Sequence, residues 1–171
     1  MRRKRGFTVL EMIITVAILA VTTGMITLSI NNIFSSSARK CAQETDALLS
    51  QTRIDAMSRT GGATLHLYRV DNTVRADCTV GTETVRTETV GDARCTVTYT
   101  VAGVPQTLDA GGFVITFKRD TGAFDFTKNS WGADTDTGRK TCSAITVTAG
   151  GRTYTITLYP ATGAHVLGGA A

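Results

Sequence analysis

Apolar residues open the chain almost without interruption: from Phe7 to Ile30 the 24 positions carry a single charge, Glu11. A helix over that stretch is about 36 Å long, enough to cross the hydrocarbon core of a bilayer. Asn31 to Ser37 is polar, and Arg39 and Lys40 follow directly. Beyond them Thr45, Leu48, Leu49, Thr52, Ala56 and Met57 recur at intervals of three and four, while Glu44, Asp46, Arg53 and Asp55 fall largely off that stripe. The spacing predicts an amphipathic continuation of the same helix over residues 31–60, with the stripe facing a sheet. Gly61-Gly62 ends it, because consecutive glycines favour a left-handed cap and weaken a helix. The rod from Phe7 to about Thr60 is then roughly 80 Å long.

From Ala63 the period changes to two. Thr64 to Arg69 and Thr73 to Val80 alternate on either side of Asp71-Asn72 and read as a hairpin. Further strands are expected at Thr82 to Val90, Arg94 to Val101, Phe113 to Lys118, Ala123 to Phe126, Ala144 to Thr148 and Thr153 to Tyr159. Turns at Gly91-Asp92, Ala102-Gly103, Asp120-Thr121-Gly122 and Gly150-Gly151 separate them. The near-repeat of Thr82-Glu83-Thr84-Val85 in Thr87-Glu88-Thr89-Val90 is too short for a solenoid and reads as one exposed hairpin or loop. The expected fold is α+β: a long N-terminal helix, half transmembrane and half amphipathic, packed against an antiparallel β-sheet head. The chain divides into residues 1–6 as a basic leader, 7–30 as the membrane helix, 31–60 as its continuation and 61–171 as the head.

Charge changes this picture in one respect. The net charge of +4 is supplied by Arg2, Arg3, Lys4 and Arg5; without them fourteen basic residues face fourteen acidic ones, so global basicity does not argue for a nucleic-acid partner. Four cations ahead of an apolar span instead hold the N-terminus in the cytoplasm and send the head outward. An ordinary secretory signal has a shorter apolar stretch and a small-residue cleavage site, which Ala17-Ile18-Leu19-Ala20 matches only weakly. A plain signal anchor is the simpler competing reading. For a head outside the cytoplasm, Cys41, Cys78, Cys95 and Cys142 favour disulfides, and none forms a C-x-x-C pair. Cys78 with Cys95, in strand-like segments flanking the Thr-rich stretch, is the favoured pairing, leaving Cys41 with Cys142. Three connectivities exist, and four unpaired buried thiols are the alternative.

Glu11 is the residue that needs explaining, since a charge at the bilayer centre is unfavourable by about 2.5–3.5 kcal/mol. A cut after Gly6 would create an α-amine on Phe7, one helical turn away and largely protonated near neutral pH. Subunits stacked with an offset of one turn could pair that amine with a neighbour's Glu11. The run Arg2-Arg3-Lys4-Arg5-Gly6-Phe7-Thr8-Val9-Leu10-Glu11 resembles the class III leader of type IV pilins and type II secretion pseudopilins. The resemblance implies cleavage between Gly6 and Phe7 by a prepilin peptidase, N-methylation of Phe7 and a role for Glu11 in docking. It further implies an inner-membrane assembly platform, partner pilins or pseudopilins along the helix, and a single-pass precursor that becomes an extracytoplasmic filament. The helix-breaking proline common in that family is absent; Gly24, beside Thr22 and Thr23, is the nearest weak spot.

Leu48-Leu49 with Arg53 and Ala56, Ile115-Thr116-Phe117 before Asp120-Thr121-Gly122, Ile145-Thr146-Val147 and Tyr159-Pro160-Ala161-Thr162-Gly163 are similar to the GspH/FimT group of minor pseudopilins and pilins. That similarity implies a minor subunit that primes assembly. A DNA-uptake minor pilin is an alternative, but the C-terminal stretch from Gly163 to Ala171 holds no Lys or Arg, so DNA is not an expected partner. A non-polymerising, signal-anchored binding protein is another. No catalytic residues and no cofactor are expected: His66 and His165 stand apart as strand-surface residues, and no nucleophile–base or phosphate-loop pattern occurs. Asp134 and Asp136 in Asp-Thr-Asp-Thr-Gly form a fragment of a calcium loop with its other ligands missing.

Overall fold

The structure, a computed structural model, describes residues 8–125 and 141–169, with the helical backbone but not the side chains of residues 25–35. One helix, α1, runs unbroken from Val9 to Ser58, about 75 Å at 1.5 Å per residue. It passes straight through Gly24. There the hydroxyls of Thr22 and Thr23 donate back to the carbonyls of Ile18 and Leu19, keeping their polarity inside the helix. The helix ends two residues earlier than the glycine pair suggests: Arg59 is already extended, its N–H donating to Asp55 O at 2.9 Å.

Nine strands follow: β1 Ala63–Val70, β2 Thr73–Val80, β3 Glu83–Gly91, β4 Thr96–Val101, β5 Val104–Thr107, β6 Phe113–Phe117, β7 Cys142–Ala149, β8 Arg152–Tyr159 and β9 Ala164–Leu167. The single sheet expected from the alternation is in fact two. One has the order β3-β2-β1-β6 and the other β5-β4-β7-β8-β9, antiparallel throughout. The chain crosses from the first to the second between β3 and β4 and returns between β5 and β6. Period two tells which face a residue occupies, not which strand lies beside it, so that crossing leaves no mark in the pattern. Asp71-Asn72, Ala102-Gly103 and Gly150-Gly151 all have positive φ at both positions, as two-residue hairpin turns require. The strand expected at Ala123 to Phe126 is reduced to a bridge between Phe117 and Phe124, with Phe126 outside the described residues.

Both sheets pack on the C-terminal half of α1. The buried stripe is Ala38, Cys41, Ala42, Thr45, Leu48, Leu49, Thr52, Asp55 and Ala56. It begins seven residues before the expected Thr45, and Asp55 belongs to it, while Met57 is 42% exposed. Small side chains early in the stripe let the backbones approach closely. From the sheets Leu65, Leu67, Val74, Ile115, Ile145 and Ile156 close over it, all fully buried. Tyr99 of β4 stacks on Phe113 of β6 with ring centroids 4.4 Å apart, joining the two sheets.

Among the described residues no helix is long and apolar enough to cross a membrane. Of the N-terminal apolar stretch, the described side chains of α1 run from Val9 to Gly24, about 24 Å of helix against about 30 Å of hydrocarbon. The expected span of 7–30 extends past them at both ends.

Candidate functional site

The start of α1 is organised by two residues. Thr8 is the N-cap, with φ −78° and ψ 151°, and its hydroxyl accepts from Glu11 N–H at 3.3 Å. In return the Glu11 carboxylate accepts from Thr8 N–H at 3.0 Å and from Thr8 Oγ1 at 3.2 Å. This is a reciprocal capping box, with an acid placed in the first turn where the positive end of the helix dipole favours it. Thr15 adds a hydrogen bond to the Glu11 carbonyl. Glu11 therefore has a partner within its own chain, in addition to the intersubunit amine expected from the sequence. The signal was present as Thr8-x-x-Glu11, a capping pattern ahead of an apolar run. Gly6 and Phe7 lie outside the described residues.

Beyond the cap, α1 presents apolar side chains in every direction. Val9 is 77% exposed, and Leu10, Met12, Ile13, Val16, Leu19 and Val21 are all open. Among the described residues, no strand of the head covers the side chains from Val9 to Gly24. A helix apolar on all sides is built for burial in lipid or among other helices.

The four cysteines are free thiols, and all are buried. Cys41 lies against Cys95, in the segment between β3 and β4; the hydrogen bond to Cys95, then burial, pushes the Cys41 thiol up, while the same bond lowers Cys95. Cys78, in the middle of β2, instead meets Thr52 Oγ1 at 3.5 Å. Thr52 is eleven residues along α1 from Cys41, about 16 Å, whereas a disulfide needs Cα atoms within about 7 Å. Cys78 and Cys95 thus lie against different turns of the helix. Cys142 begins β7, its Sγ 3.7 Å from Ala144 O, and burial pushes its thiol up to about 12.

His165 is not a surface residue: its side chain is 7% exposed, on β9 against α1. Its Nε2 lies 2.8 Å from Ser50 Oγ and 3.7 Å from Asp46 Oδ1, while Nδ1 is buried without a hydrogen-bond partner. A catalytic triad needs serine and acid on opposite ring nitrogens; here both approach the same one. His66 stacks on Tyr68 at 4.8 Å and reaches Gly111 O at 3.1 Å. Among the described residues no group of three or more His, Cys, Asp or Glu could hold a metal, and the calcium-loop fragment with Asp134 and Asp136 lies outside them.

Arg53 gathers the segments singled out along the head. Its Nε donates to Gly122 O at 3.2 Å and its Nη2 to Thr162 O at 2.9 Å. Gly163, at φ +68°, lies so close to Gly122 that a Cβ there would stand 1.7 Å from the Gly122 oxygen. Helix, β6 loop and β8–β9 turn therefore meet at one point, which only a residue without a side chain can occupy.

Residues 1–27 match the family described as the prokaryotic N-terminal methylation motif. No curated protein and no solved structure matches the chain.

Proposed function

We propose that this chain, a type IV pilin-like or pseudopilin-like precursor by its N-terminal motif, is a minor subunit of a type IV pilus or type II secretion pseudopilus. It is cut between Gly6 and Phe7, methylated on Phe7 and assembled through the apolar half of α1. The observation that carries this reading is the stretch from Val9 to Gly24: among the described residues it is apolar in every direction, free of the head, and opened by one acid behind four cations. Residues 7–30 span the membrane before assembly, with the head outside. The minor role is supported by the meeting of Arg53, Gly122 and Thr162, since these belong to the segments that are similar to GspH/FimT proteins.

The capping box gives the docking step its chemistry. Cleavage leaves the Thr8 amide intact, so Glu11 stays hydrogen-bonded and its charge tolerable within one subunit. Its remaining lone pairs accept the Phe7 amine of a neighbour, neutralising two charges at one depth in a low-dielectric setting.

Gly6 and Glu11 must then fail differently. In cells with the cognate peptidase, Gly6→Val stays full length and membrane-bound, whereas Glu11→Ala is cut normally but is missing from sheared filaments. Intact mass of each chain, together with recovery in the filament fraction, reads both outcomes. Normal processing of Gly6→Val would sink the cleavage assignment, and wild-type incorporation of Glu11→Ala would sink the docking role.

A further inference from the structure

Among the described side chains Cys41 lies one turn beyond Ala38, the first buried residue of α1, and Gly91, at the start of the link from β3 to β4, packs on its sulfur. Three residues crowd one spot there. A Cβ on Gly91 would lie 2.9 Å from Cys41 Sγ and 3.3 Å from Cys95 Cβ, so the missing side chain is what lets the sulfurs approach. The segment is also fixed in place. Ser37 Oγ donates to Asp92 Oδ2 at 3.3 Å, Arg94 N–H donates to Asp92 Oδ1 at 3.0 Å, and the Arg69 guanidinium donates to Cys95 O at 3.0 Å. Two buried cysteines that flank the same bare Gly91 position, one on a helix and one on a segment held against it, have the placement a cross-link requires.

We propose that Cys41 and Cys95 form a disulfide that clasps the base of α1 to the head, an inference resting on the proposed export of the head to an oxidising compartment. The oxidant is a disulfide donor, either a thiol oxidoreductase in its disulfide form or a low-molecular-weight disulfide. Cys95, on the segment that is still open, attacks first as the thiolate. An S–S bond forms between Cys95 and one donor sulfur while the other donor sulfur leaves as thiolate. Cys41 then gives its proton to solvent and attacks the Cys95 sulfur, releasing the second donor thiolate. Two protein thiols lose two electrons in all, and one donor disulfide becomes two thiols. Both sulfurs are closed off in the finished fold, so the exchange takes place while segment 92–95 is still open.

The test uses the full chain, recovered from the cell envelope without reductant, denatured in excess iodoacetamide and digested. A single linked peptide pair containing Cys41 and Cys95 is expected, separating on reduction, with Cys78 and Cys142 alkylated. Alkylation at all four positions, or a link between any other two, overturns the proposal. Pairing is tested apart from export by refolding the full chain in detergent with a glutathione redox buffer. Cys41→Ser and Cys95→Ser must each lose the linked peptide there, and Cys78→Ser and Cys142→Ser must retain it; any other pattern overturns the pairing whatever the compartment. External protease on intact cells reads the position of the head separately, so a protected head counts against export and leaves the refolding result to judge the pair.

Discussion

A single threonine sets how the chain manages the acid at the start of its helix. Thr8 supplies the N–H and the hydroxyl that Glu11 accepts, and receives a bond from Glu11 N–H in return. Thr8→Ala keeps the N–H but loses both hydroxyl bonds, which is worth about 1 kcal/mol of helix stability at an N-cap. In the processed chain in detergent, amide exchange at Leu10 to Met12 should therefore rise roughly fivefold, with Leu48 to Thr52 unchanged as the internal reference. Thr8→Ser restores the oxygen and should behave as wild type. Unchanged exchange in Thr8→Ala would show that the cap does not hold the helix start.

At the scale of elements, the join between α1 and the two sheets depends on Arg53. Its two hydrogen bonds end on backbone carbonyls from different segments, so Arg53→Ala leaves both acceptors short of a donor. A loss of about 2 kcal/mol is expected in urea unfolding of the full chain in detergent. Arg53→Lys should recover less than half, since one ammonium cannot reproduce the fork of a guanidinium; full recovery would mean that charge alone matters. The sequence made some of these elements plain and hid others. The helix stripe and the first hairpin were legible because Thr45, Leu48, Leu49 and Thr52 keep one helical face, and Asp71-Asn72 suits a two-residue turn. β5 and β9 were missed because each has four residues, lies at a sheet edge and has little alternation to display; β5 even contains Pro105, which only an edge tolerates. The cysteine contacts were illegible for a related reason. They depend on where the chain crosses between sheets, and β3 and β4, neighbours in sequence, end in different ones.

For the whole molecule, removal of the leader leaves fourteen basic against fourteen acidic side chains. Phosphate contacts by Lys and Arg dominate nucleic-acid affinity, so the processed chain should not retain duplex DNA at physiological salt. Micromolar or tighter binding with a steep salt dependence would overturn this and revive an uptake role. Among the described residues the two sheets grip α1 from Ser37 onward, and polar contacts mark the ends of the grip: Ser37 with Asp92 where the helix enters, and Arg53 with Gly122 and Thr162 near its end, with Ser50 and His165 between them. Those ends are sixteen residues apart on the helix, about 24 Å. Tension along the helix axis, as when a filament is stretched between its base and an object it holds, is shared by both ends and by the stripe between them in shear. A sideways tug on the head concentrates at the Ser37 end and, with Cys41 and Cys95 reduced, peels the contacts one turn at a time. The reduced subunit should accordingly yield at much lower force when bent away from the filament than when pulled along it, and a Cys41–Cys95 bond, one turn in from Ser37, should remove most of that difference.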